Sequence, residues 1–89
     1  MTACVRCYVS GQVQGVGFRA SARLQAERLG VRGYARNLRD GRVEVLMCGD
    51  PERLEAFRAW LHDGPGYARV KNLNCEEASE TPPEGFAIR

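Results

Sequence analysis

From residue 4 to residue 10 the chain alternates. Val5, Cys7 and Val9 fall on one side and Cys4, Arg6 and Tyr8 on the other, the two-residue period of a half-buried strand. Residues 11–17 carry three glycines and predict a loop. The period then changes: Phe18, Ala22, Ala26 and Leu29 are spaced four, four and three, which is one face of a helix over 18–29. Gly30 is placed to end that helix in the left-handed conformation. Residues 31–38 predict a second strand, Asp40-Gly41 a tight turn within 39–42, and residues 43–48 a third strand with Val43, Val45 and Met47 on one face. Asp50 caps a second helix and Pro51 takes its first position. Leu54, Phe57 and Leu61 form that helix's buried stripe, joined by Trp60, before Gly64-Pro65-Gly66 ends it. Residues 68–78 predict a fourth strand with an irregularity. Residues 81–85, rich in Pro and Gly, predict a loop, and residues 86–89 a short fifth strand.

The order βαββαβ with a short terminal strand predicts an α+β fold, a ferredoxin-like split βαβ sandwich. Its sheet is mainly antiparallel and carries two helices on one face. The right-handed crossover rule makes the first two strands parallel, with the third inserted antiparallel between them. At 89 residues the expectation is a single domain over 1–89. Apolar residues at 44% and charged residues at 27% are ordinary for a globular protein and exclude a disordered or collagen-like chain. The net charge of +2 falls short of what a dedicated nucleic-acid or anionic-membrane binder carries. Twelve of the thirteen basic residues are Arg, a bias that by itself assigns no role. No stretch reaches the roughly 18 apolar residues of a membrane span, and the first residues lack a signal-peptide pattern. The expected location is cytoplasmic.

The segment from Val9 to Arg19 carries the chemistry. A glycine-rich loop leaves a strand and enters a helix, so successive N–H groups can turn inward and meet the positive end of the helix dipole. This suits a phosphate or a carboxylate. Arg19 stands at the helix start, and its planar fork can hold two phosphate oxygens. The loop lacks the Gly-Lys-Ser/Thr of a Walker motif. Gly15-Val-Gly17-Phe-Arg-Ala20 does satisfy the dinucleotide fingerprint, with Asp40 at the right distance. That reading fails because Asp40 falls in a hairpin turn and one βαβ unit cannot make a Rossmann sheet. Cys4 and Cys7 share a strand at a spacing of three, which puts them on opposite faces and argues against joint metal ligation.

Two blocks together resemble the acylphosphatase family: Gly11-x-Val13-Gln-Gly-Val-x-Phe-Arg19, and Gly33-Tyr-Ala-Arg-Asn37-x-x-x-Gly41-x-Val43. The resemblance extends to Phe86-x-Ile88-Arg89 and covers essentially the whole chain. It implies an acylphosphatase-like domain that hydrolyses acyl phosphates to carboxylate and inorganic phosphate, without metal or cofactor. It also implies that Arg19 binds the phosphate, that Asn37 positions the attacking water, and that the loop of Gln14, Gly15, Val16, Gly17, Phe18 and Arg19 forms the phosphate cradle. Inorganic phosphate would act as product and inhibitor. Leu38-Arg39 stand where some members carry small hydroxyl residues, and Gly17 adds a third glycine.

The chemistry agrees with that implication. An acyl phosphate departs as a carboxylate whose conjugate acid has a pKa of roughly 4, so no general acid is needed. Strands 1 and 2, being parallel, end at the same sheet edge, which lets Arg19 and Asn37 converge. A non-catalytic phosphate- or carbamoyl-phosphate-binding module of the same fold is the alternative. RNA binding is disfavoured because the third strand carries no aromatic residue. Apart from the small-molecule substrate, the expected partners exclude nucleic acid and membrane, and the expected form is a monomer.

Four cysteines are too few for a disulfide scaffold at this length. Strand 1 starts where strand 3 ends, however, and alternation puts Cys4 and Cys48 on the sheet face away from the helices, where a disulfide between them is geometrically open. His62, the single histidine, lies at a helix end and suits a dipole contact.

Overall fold

A computed structural model describes residues 2–89. Its elements run β1 (Ala3–Gln12), α1 (Phe18–Leu29), β2 (Arg32–Asn37), β3 (Val43–Gly49), α2 (Pro51–Asp63), β4 (Arg69–Glu77) and β5 (Phe86–Ile88). The sheet order is β4-β1-β3-β2-β5. β3 pairs antiparallel with both β1 and β2, and β4 pairs antiparallel with β1. β5 lies parallel to β2, so the otherwise antiparallel sheet is mixed. Among the described residues no helix is long and apolar enough to cross a membrane.

The helical period bounds α1 at the expected residues. Phe18, Ala22 and Ala26 are its buried face, and Gly30 closes it with φ 69°, its N–H reaching the carbonyls of Ala26 and Glu27. Leu54, Phe57 and Leu61 are the buried stripe of α2. Asp50 stands at the N-cap of α2 as expected, but its side chain makes no capping hydrogen bond. The main core lies between the sheet and both helices and holds Val9, Val13, Phe18, Val43, Val45, Met47, Phe57 and Phe86. Trp60 bridges Phe18 and Phe57, with ring centroids 5.9 and 6.1 Å away, and Phe86 meets Phe57 edge-on at 5.7 Å.

β3 departs from a half-buried pattern: all residues from Val43 to Cys48 are buried. The physical reason is the connection from β4 to β5, which joins the two outer strands and so must pass across the sheet. Ala78 packs with Tyr34, Leu46 and Cys48 on the face away from the helices. Arg6 pairs with Glu80, and Arg32 donates to the carbonyls of Pro82 and Pro83. The polar member of β3, Glu44, accepts hydrogen bonds from the Tyr34 hydroxyl at 3.0 Å and from Arg36 at 2.6 Å.

The irregularity in β4 lies at Lys71. Ser10 faces Asn72 and Gly11 faces Val70, which leaves Lys71 as the extra residue of a bulge. Gly11 has φ 128°, and a Cβ there would meet the Arg69 carbonyl oxygen at 2.1 Å, so the bulge requires glycine.

The Cys4–Cys48 bridge that the sequence left open is present, and the expectation that needs correction is the one drawn from the cysteine count. All four cysteines are paired, Cys4 with Cys48 and Cys7 with Cys75. Each pair is directly opposed across an antiparallel ladder, with Cα atoms 4.1 and 4.0 Å apart, close to the narrow spacing of a non-hydrogen-bonded pair. One bridge ties β1 to β3 on the open face, and the other ties β1 to β4 on the core face. The count of four understated the possibility because adjacency in a sheet needs no dense framework.

The bridges close segments with sequence separations of 44 and 68. Each should stabilise the fold by about 2–4 kcal/mol. A Cys4→Ala/Cys48→Ala chain should therefore melt clearly lower than the oxidised parent, by about 4–8 °C per kcal/mol, in a thermal scan. Full reduction should lower the melting point further. Coincident melts with and without reductant would contradict this.

Candidate active site

The site is set by one register. Val43 of β3 lies opposite Val9 on one side and opposite Asn37 on the other. β1 and β2 therefore reach the same level two strand spacings apart, about 9.5 Å. β1 runs on for one more turn of pleat and hands the chain to the glycine loop over the core. Phe18 then sinks into the core at 1% exposure and anchors the start of α1.

Gly15 and Gly17 have φ 75° and 77°. A Cβ at either would meet nothing within 4 Å, so conformation, not space, demands glycine there. Gly17 is also the N-cap of α1, which has no side-chain cap and no acidic residue in its first turn. The first helical bond runs from the Ser21 N–H to the Gly17 carbonyl at 3.0 Å. The amides of Phe18, Arg19 and Ala20 precede it and have no helical acceptor.

A cleft of about 150 Å³ lies at this point, lined by Val13, Gly15, Gly17, Phe18, Arg19, Ala20, Asn37 and Ile88. Arg19 and Asn37 thus meet in one cavity although eighteen positions apart in sequence. One Arg19 nitrogen, Nη1, donates to the main-chain oxygen of Arg89 at 2.8 Å. Among the described residues Arg19 has no other hydrogen-bonded protein partner. Asn37 Oδ1 is buried and accepts no hydrogen bond from the protein. A buried carbonyl oxygen in that state costs about 1–3 kcal/mol unless a small polar species supplies the missing donor.

The loop residues divide in two. Gly15, Gly17, Phe18 and Arg19 line the cleft; Gln14 and Val16 do not. Val16 packs against the core. The Gln14 side chain turns to the β2–β3 hairpin, where Nε2 donates to the Leu38 carbonyl at 2.7 Å and to the Arg42 carbonyl at 2.9 Å. It therefore ties the glycine loop to the residues next to Asn37. No sequence signal distinguishes this bond from a side chain aimed at a ligand. Sequence reasoning also missed Ile88 and Ala20 as lining residues. The parallel pairing of β5 with β2, which sets Ile88 opposite Ala35, is the feature that brings Ile88 there.

The hairpin is a type I turn with a following bulge rather than an Asp-Gly turn of the mirror type. Gly41 N–H reaches the Leu38 carbonyl at 3.2 Å, Leu38 N–H reaches the Arg42 carbonyl at 2.8 Å, and φ is positive at Gly41 but not at Asp40. Asp40 accepts from the Arg42 amide at 3.1 Å and from its guanidinium at 2.8 Å. The Arg42 amide, aided by the Arg42 side chain, holds the Asp40 carboxyl below the usual carboxylate range.

Among the described residues no cluster of three His, Cys, Asp or Glu could hold a metal ion. Cys4 and Cys7 lie on opposite faces in separate bridges. His62 is exposed, with Nδ1 3.9 Å from Asp63, and is absent from the cleft lining.

Gln14→Ala should cost about 1 kcal/mol of stability, because each carbonyl it leaves keeps one backbone donor. Chemical denaturation reads this, and a loss above that of a core truncation would show that the tie does more. The Asp40 contribution has a definite sign. Its folded pKa is depressed, so the stabilisation is present above about pH 4 and is lost as the pH falls through the folded value. The stability gap between parent and Asp40→Ala should shrink as urea melts are moved from about pH 6 to about pH 2. A gap that widens would contradict it.

The acylphosphatase family model matches residues 5–88. An acylphosphatase of Halorhodospira halophila is 58% identical over 83 residues, 93% of this chain and 90% of that protein. The structure of an acylphosphatase from Coxiella burnetii superposes with a TM-score of 0.93 at 40% identity, covering 99% of this chain and 93% of that one. The acylphosphatase of Bacillus subtilis gives 0.92 at 32% identity over 100% of this chain and 99% of that one.

Proposed function

The chain belongs to the acylphosphatase family and is a hydrolase acting on acyl phosphates, and we propose that it works without a metal, with Arg19 and the loop amides holding the phosphoryl group and Asn37 holding the water. The observation that carries this reading is the buried, unpartnered Asn37 Oδ1 in the same cleft as Arg19 and the two left-handed glycines. That oxygen needs a donor. The donor of the right size is a water molecule, which would then present its lone pair to a phosphorus held by Arg19.

The chemistry asks for little else. The phosphoryl oxygens gather charge in the transition state, and fixed N–H donors stabilise it without reorganising. Amides of Gly17 to Ala20 and the Arg19 fork supply those donors. One Arg19 nitrogen is held by the Arg89 main-chain oxygen, which reduces the ordering its planar group needs at the moment of reaction. The leaving carboxylate needs no proton. Asn37 is no base, and the water's proton passes to a phosphoryl oxygen of the substrate as the oxygen–phosphorus bond forms. The bond from phosphorus to the carboxyl oxygen breaks, and its electron pair leaves with the carboxylate.

Phosphate monoesters are poor substrates in this reading, since an alkoxide leaving group needs an acid or a metal. Inorganic phosphate, the product, competes for the cradle. The cleft is built from one chain, so the reading needs no second subunit. It also needs no nucleic acid.

Benzoyl phosphate hydrolysis with EDTA present tests the whole assignment. Turnover should survive the chelator and be inhibited competitively by phosphate. Arg19→Ala should lose at least about 100-fold in kcat/KM, with weakened phosphate inhibition. Arg19→Lys should recover little, because a point charge does not replace the fork. Asn37→Ala should lose a similar factor in kcat while phosphate still inhibits. A folded Asn37→Ala chain with parental kcat would remove the water-positioning role, and loss of parental turnover with EDTA would remove the metal-free route.

A further inference from the structure

Three large apolar side chains are substantially exposed among the described residues: Leu24, Tyr67 and Ile88. Leu24 lies on the outer face of α1, and Tyr67 lies in the connection before β4. Ile88 alone of the three lines the cleft. At 40% exposure it offers surface to whatever enters. The other large apolar residues of the cleft, Val13 and Phe18, are each 1% exposed and belong to the core. Of the remaining lining residues, Ala20 is the exposed apolar one and adds little area.

The position of Ile88 is built, not incidental. Alternation along β5 puts Ile88 on the same sheet face as Phe86, which is buried against Phe57 under the helices. Its register partner is Ala35, two residues before Asn37. Arg89 follows it, and the Arg89 main-chain oxygen receives Arg19. Ile88 therefore lines, with its exposed side chain, the same cleft as Arg19 and the loop amides assigned to the phosphoryl group. Apart from Arg19, no charged side chain lines the cleft.

We infer that Ile88 is a specificity-determining residue that gives the enzyme a preference for acyl phosphates with an apolar acyl group, branched aliphatic or aromatic, over acetyl phosphate and over acyl groups bearing a charge. The inference rests on the reading of this cleft as the catalytic site. Once the phosphoryl group is seated, the acyl carbon projects outward, and the apolar wall it meets is Ile88 with Ala20. An apolar acyl group covers that wall and removes it from water. An acetyl group is too short to cover it, and a charged acyl group finds no partner there.

The test compares kcat/KM for benzoyl phosphate and acetyl phosphate in the parent, Ile88→Ala and Ile88→Leu, with inhibition by inorganic phosphate measured alongside. The parent should favour benzoyl phosphate. Ile88→Ala should lower the benzoyl-to-acetyl ratio about tenfold, the low end of what trimming an apolar pocket is worth. Ile88→Leu should restore most of the ratio, and phosphate inhibition should stay within about twofold in both, since the cradle is untouched. An active Ile88→Ala enzyme with the parental ratio overturns the inference alone. A parent that turns over neither compound overturns the catalytic reading and the inference with it.

Discussion

The site depends on the double pairing of Val43. One residue of the central strand faces Val9, where β1 is about to give way to the glycine loop, and also faces Asn37, where β2 ends. The two halves of the chemistry are distant in sequence and come together because they flank one residue. A one-residue slip of either neighbour would turn its side chains to the opposite face and take Asn37 or the loop out of the cleft. The structure holds the register in several independent ways. Core residues alternate strictly on the helix side of β1 and β3. Cys4 and Cys48 are opposed on one face, and Cys7 and Cys75 on the other. The Gln14 bonds then tie the loop to the hairpin beyond the sheet.

Much of this is legible in the sequence. The shift from two-residue to 3.6-residue period at Phe18, and the left-handed stop at Gly30, locate α1 because both signals are local. The two acylphosphatase-like blocks name Arg19 and Asn37 because each block is contiguous. What escaped is non-local. The Cys7–Cys75 pairing needs the register of β4 against β1, and the irregularity legible in residues 68–78 does not say where its bulge falls or which strand it faces. The burial of Leu46 and Cys48 needs the β4–β5 connection to cross the sheet, and a loop rich in Pro and Gly does not announce its path. Gln14 sits inside a block that reads as a phosphate cradle, and only its side-chain direction separates a tie from a ligand contact. Ile88 needs the parallel placement of β5, set by a three-residue strand too short to show a period.

The distribution of charge also serves the cleft. The buried carboxylate of Glu44 could repel a phosphoryl group if it faced the helices. It lies on the other side of the sheet and is held by Tyr34 and Arg36, with Arg6 3.8 Å away. Arg36 also lies over the Tyr34 ring, 5.8 Å from its centroid, and Arg89 lies over it at 4.2 Å. The anionic network and the anion cradle are therefore separated by the sheet itself. Alternation along β3 does this at no extra cost: Val43 and Val45 face the core, and Glu44 between them cannot.

A cradle made of main-chain amides and one clamped guanidinium is rigid by construction, which suits a reaction whose barrier is mainly one of placement. Rigidity of that kind cannot also discriminate among acyl groups, because it grips only the part that all acyl phosphates share. Discrimination must come from a side chain outside the cradle. The edge strand is where such a residue can vary without disturbing the fold, since β5 contributes three residues and is paired on one side only. Phe86 anchors the strand in the core, Arg89 steadies Arg19 through its main chain, and the Ile88 side chain is free to meet the substrate. The fold thereby separates a fixed chemical site from an adjustable rim whose main apolar residue is Ile88.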